Sequence, residues 1–254
     1  MTLSMEKWVG KVAIVTGASA GIGVSIAEKL VEHGVQVVGL ARRKALMEEH
    51  KNRWKSKKGS FHPVQCDIRK ESDILNAFDW IKKNLGPVSV LINNAGIVGA
   101  TTLINGDAAI WKDILDTNVL GLCIATKEAI NHMREGKIDG HIIHINSIAG
   151  FMIPFHPNSN VYPASKHAVT ALVETLRREL NLIKSKIKIS DISPGLVNSE
   201  IADVLPSDSF LAKAIANPTN LRPEDIADAV IYILSTPPHV QIHELVIKPV
   251  NEAW

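Results

Sequence analysis

Cysteine is nearly missing from this chain: Cys66 and Cys123 are the only two in 254 residues. The pair has no metal-ligand spacing, so no metal site is expected, and so few cysteines fit a reducing compartment. No stretch approaches the roughly 20 apolar residues of a membrane span. The opening "MTLSMEKWVGK" has no apolar core long enough for a signal peptide. Charge of one sign is also lacking, with 28 Lys+Arg against 26 Asp+Glu and a net +2. That balance gives no pull towards nucleic acid or an anionic membrane surface. The densest basic run, "KNRWKSKK" at 51–58, reads as a solvated helix end. Neither a Pro/Gly/Ser-rich linker nor an internal repeat divides the chain. These absences leave a cytoplasmic protein with one domain over 1–254. At 46% hydrophobic and 21% charged, it can bury a substantial α/β core.

Short β-branched runs recur along the sequence. They are "VAIVT" at 12–16, "VQVVGL" at 35–40, "FHPVQC" at 61–66, "VSVLIN" at 88–93, "HIIHIN" at 141–146, "KIKISDIS" at 186–193 and "ELVIKPV" at 244–250. Longer stretches with apolar residues every three or four positions lie between them. "VSIAEKLVEHG" ends on Gly34, a good helix C-cap. "EDIADAVIYIL" follows Pro223, which suits a first helical turn. Strand–helix alternation over the whole length predicts a parallel sheet with helices on both faces. The longest stretch without a clear pattern is 198–221, and a long segment after a late strand often covers a site.

Between the first strand and the first helix stands "TGASAGIG". Glycine lets the backbone turn sharply and lets a pyrophosphate come close, and the helix N-terminus then offers unpaired N–H groups. Gly17, Ser19, Ala20, Gly21, Ile22 and Gly23 are therefore candidate cofactor contacts. The spacing alone also fits a plain tight turn. The end of the second strand favours the cofactor. NAD sites usually carry an Asp or Glu there for the ribose 2′-hydroxyl. This chain has Arg42 and Arg43 instead, which can bind a 2′-phosphate by charge-assisted hydrogen bonds. NADP(H) is the expected cofactor, unless the two arginines are only surface charges.

Further motifs occur in order: "NNAG" at 93–96, Ser147, "YPASK" beginning at Tyr162 and ending at Lys166, and "SPG" at 193–195. Together with "TGASAGIG" they resemble the short-chain dehydrogenase/reductase family across essentially the whole chain. "EKWVGKVAIVTGASAGIG" and "AVIYILSTPPHVQIHELVIKP" resemble its farnesol-dehydrogenase-like branch in insects and related vertebrate cytosolic members. The resemblance implies a Rossmann-like, doubly wound α/β sheet of about seven parallel strands with helices on both faces. It implies a catalytic tetrad on Asn118, Ser147, Tyr162 and Lys166. It also implies cofactor contacts at Asp67 and Ile68 for adenine and at Asn94, Ala95 and Gly96 beside the nicotinamide ribose. Pro194, Gly195, Val197 and Ser199 match the stretch around the carboxamide. Family members usually form homodimers or homotetramers through helices around 111–133 and 162–180. Two departures stand out. Ala20 replaces a basic residue of some NADP-specific relatives, and the C-terminus lacks the family's Gly-rich ending.

The chemistry then follows. A free tyrosine has a pKa near 10. Lys166, four residues after Tyr162 on one helix face, carries a charge that favours the phenolate. At about 4 Å and an effective dielectric of about 20 this is worth about 4 kcal/mol before discounting, which places Tyr162 at roughly 7–9. Tyr162 takes a proton from an alcohol or gives it to a forming alkoxide. Ser147 holds the substrate oxygen. Lys166 holds the nicotinamide ribose, and Asn118 anchors a water-linked proton path to it, if it is not simply a helix-bending or capping residue. His141 and His144, three apart in one strand, face opposite sides of the sheet and cannot share a metal. Ile110 and Trp111 read as core or interface. Apolar residues of 151–160 and 196–215 are the expected pocket wall, if they do not pack internally. They suit a hydrophobic alcohol or carbonyl compound, isoprenoid and farnesol-like by resemblance, with a steroid or dicarbonyl as the alternative. A nucleotide-sensing protein without catalysis is the remaining class, and the complete Tyr–Lys pair argues against it.

Overall fold

The computed structural model describes residues 3–153, 161–201, 210–250 and 252. The β-branched runs become β1 (Val12–Thr16), β2 (Gln36–Ala41), β3 (Ser60–Gln65), β4 (Val88–Asn93), β5 (His141–Ile145), β6 (Lys188–Pro194) and β7 (Glu244–Ile247). All pair in parallel in one seven-stranded sheet of order β3-β2-β1-β4-β5-β6-β7. Every strand expected from sequence is present. β1, β4 and β5 are buried along their whole length, which is why they read as continuous apolar runs rather than alternating ones. Pro63 falls in β3, at the sheet edge, where a missing N–H costs no ladder bond.

The helices are α1 (Gly21–Glu32), α2 (Lys44–Arg53), α3 (Glu71–Asn84), α4 (Ala108–Leu115), α5 (Gly121–Glu135), α6 (Val161–Leu182), α7 (Phe210–Ile215) and α8 (Pro223–Ser235). A five-residue π-turn, Asp116–Leu120, joins α4 to α5. After α1 the chain turns at Gly34, whose φ is +84°, as the C-cap reading required. Pro223 opens α8, and the Arg222 N–H donates to Asp225 Oδ2 at 2.7 Å, which caps that end.

Each face of the sheet buries its own apolar layer. On one side lie Ile26, Leu30, Trp54, Phe61, Val230 and Ile233, drawn largely from α1, α8 and the sheet. On the other lie Ile74, Phe78, Ile81, Ala125, Val169 and Val173, from α3, α5 and α6. The basic run at 51–58 is only partly a solvated end. Lys57 pairs with Glu28 at 2.9 Å and Glu32 at 2.5 Å, while Trp54 is buried and packs edge-on against Phe61.

β1 lies between β2 and β4, where the strand order reverses, so the loops leaving β1 and β4 diverge to opposite faces. Ligands of such sheets bind in that crevice, beyond the C-terminal strand ends. Phe78 anchors the layer under α3 and meets His132 edge-on at 5.2 Å. Phe78→Ala should lower the unfolding free energy by about 3–5 kcal/mol in urea titration, and a loss under about 1 kcal/mol would contradict this packing.

Candidate active site

The turn after β1 is built for close approach. Gly17 has φ +70° and Gly21 φ +55°, both in the left-handed region that favours glycine. A Cβ on Gly23 would meet Gly17 O at 2.3 Å, so the first turn of α1 lies directly on the loop backbone. Ala20 precedes α1, offers no side-chain cap, and the first helical turn has no acidic residue. The leading N–H groups of α1 are thus left for an anion from outside the chain. Thr16 Oγ1 fixes the other side, accepting from Asn94 N at 3.0 Å and Ala95 N at 2.9 Å. Asn94 Nδ2 returns to Thr16 O at 2.9 Å. The Asn94 amide therefore braces the glycine turn.

A cleft of about 490 Å³ opens along these strand ends. Gly17, Ser19, Ala20, Gly21 and Ile22 line its floor, with Arg42, Arg43, Asp67 and Ile68 at one end. Asn94, Ala95, Gly96, Ser147, Tyr162 and Lys166 line the middle, and Pro194, Gly195, Val197 and Ser199 the far wall. Every expected cofactor residue except Gly23 reaches the cleft, and Gly23 acts behind it by packing. Arg43 Nε donates to Ser19 Oγ at 3.3 Å, and its Nη2 lies 3.6 Å from Glu200 Oε2. Asp67 is held by Arg69, through Nε at 3.0 Å and Nη2 at 2.7 Å. That hydrogen-bonded guanidinium pulls the Asp67 carboxyl down to about 2. Arg69 and Glu200 belong to no motif, and Thr16, although it opens the glycine motif, has no role that the sequence alone could assign.

Ser147 follows β5 and caps a short helical turn, its Oγ accepting from Ala149 N at 3.1 Å. It also hydrogen-bonds the Tyr162 hydroxyl, a contact that works to lower the phenol's pKa. Tyr162 and Lys166 stand near the start of α6. The Lys166 ammonium is buried, donates to Ile145 O at 3.0 Å and lies 5.7 Å from the Tyr162 ring centre. This corrects the expected depression of the tyrosine. Burial raises the Tyr162 pKa above its ordinary value, and the Ser147 bond only partly offsets it. The lysine bears the complementary cost: burial lowers it to about 8, with the Asp191 charge opposing. Tyr162 is therefore a neutral phenol at pH 7.

Asn118 sits in the π-turn, behind the cleft wall. Its Oδ1 accepts from Ile97 N at 2.9 Å, and its Nδ2 donates to Ile97 O and Ser165 Oγ, both at 3.0 Å. A Cβ on Gly96 would come within 3.8 Å of both Asn118 Oδ1 and Lys166 Nζ. His141 bonds Ser190 and His144 bonds Asn93, on opposite faces of the sheet, as their spacing required. No group of three or more metal-ligating side chains occurs among the described residues. Ile97, Val98, Ile148, Leu196, Ile201 and Ile215 give the cleft its apolar wall. Of the expected wall segments, 154–160 and 202–209 lie outside the described residues. Trp111 is half-buried, its Nε1 donating to Thr101 Oγ1 at 2.7 Å.

This chain belongs to the short chain dehydrogenase family, which matches residues 11–209. It is an oxidoreductase of that family. It is 49% identical to a farnesol dehydrogenase of Aedes aegypti over 252 residues, covering 98% of this chain and 100% of that one. It is 44% identical to dehydrogenase/reductase SDR family member 11 of Bos taurus, over 98% of this chain and 99% of that one. Among solved structures it resembles the closed form of serine dehydrogenase complexed with NADP+, at 30% identity, TM-score 0.86 and 96% coverage of both chains.

The Asp67–Arg69 pair gives a pH signature. The Asp67 carboxyl is near 3.9 in an unfolded chain and about 2 here, so the pair stabilises fully above about pH 4 and less as pH falls towards 2. Asp67→Asn should lower the melting temperature at pH 7, with the gap closing between pH 4 and 2. A gap constant over that range would contradict the assignment.

Proposed function

We propose that this chain, working as a single catalytic domain, is an NADP(H)-dependent oxidoreductase. Its substrate is a hydrophobic alcohol and the corresponding carbonyl compound. One observation carries the reading: the glycine turn with its uncapped helix start opens into the same cleft as Ser147, Tyr162 and Lys166. The free N–H groups of α1 fit a pyrophosphate. Arg42, Arg43 and Ser19 fit a 2′-phosphate, and the NADP+ in the serine dehydrogenase structure supports that choice. Bound there, the reduced nicotinamide supplies a hydride to the carbonyl carbon.

The chain's own residues manage the oxygen and the proton. Ser147 Oγ donates to the carbonyl oxygen and orients it. Tyr162, neutral at pH 7, gives its proton to the oxygen as negative charge develops there. Lys166 then stabilises the phenolate left behind, and Asn118 anchors the path by which a proton returns. The apolar wall and the 49% identical farnesol dehydrogenase support an isoprenoid substrate, farnesal or farnesol. A steroid or dicarbonyl fits the same wall. Two free cysteines agree with a cytoplasmic setting, and exposed Leu115 and Leu120 beside α5 agree with a homodimer or homotetramer.

Tyr162→Phe should retain NADPH binding and lose about 10²–10⁴-fold in turnover, read as NADPH consumption with farnesal and a carbonyl panel. Retained turnover would remove Tyr162 from the mechanism. Arg42→Ala together with Arg43→Ala should raise KM for NADPH roughly 10–100-fold, the worth of charged hydrogen bonds, and leave NADH nearly unchanged. Equal losses with both cofactors would count against a 2′-phosphate site.

A further inference from the structure

Behind the reacting groups, α6 packs on β5 and β6 over buried polar side chains that the reaction above does not use. Asp191 on β6 is 3% exposed, and His144, its register partner on β5, is 0% exposed. Asp191 Oδ2 accepts from Asn146 Nδ2 at 2.9 Å. The same Nδ2 donates to Thr170 Oγ1 at 2.9 Å, and the Asn146 backbone N–H donates to Ile192 O at 2.7 Å. Thr170 stands one turn beyond Lys166 and reaches the carbonyls of Gly150 at 3.1 Å and Lys166 at 3.3 Å. Asn146 therefore ties the end of β5 to β6 and to α6 at once. Its two chain neighbours are Ile145, whose carbonyl takes the Lys166 ammonium, and Ser147. Asp191 Oδ1 is buried and accepts no hydrogen bond of good geometry, although the Ser193 hydroxyl nearby lowers the carboxyl somewhat. A carboxylate in such a place is stabilised by a positive charge, and among the described residues Lys166 is the buried cation whose charge acts on it.

We propose that Asp191 is a positioning residue of the reaction. Through the Asn146 amide it fixes the 145–147 segment, and its carboxylate is the buried counter-charge of the Lys166 ammonium. The inference rests on Ser147, Tyr162 and Lys166 being the reacting groups. Three titratable groups face Asp191: Lys166 from α6, His144 from β5 and Glu244 from β7. Burial keeps His144 neutral, lowering it to about 3. Burial raises Asp191 to about 6, with Glu244 adding to the rise and Lys166 opposing it. At pH 7 Asp191 is thus a carboxylate and Lys166 an ammonium.

Asp191→Asn removes the charge at constant shape. Without it, Lys166 loses its proton more easily. The alkaline limb of carbonyl reduction should move to lower pH by about one unit, with kcat above pH 7 falling up to about tenfold. A limb that superimposes on the wild type's, at whatever kcat, overturns the proposal, since a purely structural role lowers activity without moving it. Asp191→Ser, which leaves room for water, serves under the same criterion should the asparagine variant not fold. A second readout needs no turnover. Between about pH 4 and 6 the folded wild type holds a proton on Asp191 that the unfolded chain has released. The wild type therefore loses stability relative to Asp191→Asn as pH rises through that interval, and the melting-temperature difference should grow. A flat difference overturns the charge assigned to Asp191. If the wild type reduces no carbonyl at all, the proposed function fails, and this comparison still decides where the charge sits.

Discussion

The hydroxyl of Thr16 holds the two halves of the sheet together at the point where they part. β1 sends its chain to one face and β4 to the other. Thr16 Oγ1 accepts the N–H groups of both Asn94 and Ala95, and the Asn94 amide closes back on Thr16 O. A partly buried N–H left without an acceptor costs about 1–3 kcal/mol, so two such bonds keep the split from widening at its base. The glycine turn hangs from one side of this clasp and the 94–96 segment from the other. Both walls of the cleft take their spacing from it, and α1 can then lie on the turn so closely that Gly23 has no room for a side chain.

The second constraint is electrical. Burial opposes charge on both Tyr162 and Lys166, raising the one and lowering the other. On the proposed reading these shifts divide the work. The phenol stays protonated until the substrate oxygen needs a proton, and the ammonium stands ready to accept the resulting negative charge as a neighbour. A buried lysine in that position gains from a counter-charge, the part proposed above for Asp191 on β6. The site thus extends two layers deep, from the cleft through α6 to β6.

Much of this was legible in the sequence because it is local. A parallel strand buried on both faces must be a continuous apolar run, and β1, β4 and β5 are that. Turns with positive φ favour glycine, which marked Gly17, Gly21 and Gly34. Tyr162 and Lys166 sit four apart on one helix, so their pairing was visible too. What distance alone decides was not. Thr16 reads only as the residue before the glycine turn until β4 is placed beside β1. Arg69 reads as a surface charge until it closes on Asp67 and Asp113. The direction of the Tyr162 shift was misjudged for the same reason: sequence supplies the lysine's charge, and only the fold supplies the burial that outweighs it. Asp191 lies in a β-branched run and looks like an interruption until β5 and α6 enclose it.

The central claim is that a hydride passes within this cleft between a nicotinamide and the carbon whose oxygen Ser147 and Tyr162 hold. Its most direct test is isotopic. Farnesal and other hydrophobic carbonyl compounds are reduced with NADPH carrying deuterium at nicotinamide C4, in separate samples for each face, and the alcohol is analysed by mass spectrometry. The account predicts an alcohol one mass unit heavier, with the label on the carbinol carbon, from one of the two samples. Alcohol formed without label from either sample would contradict it.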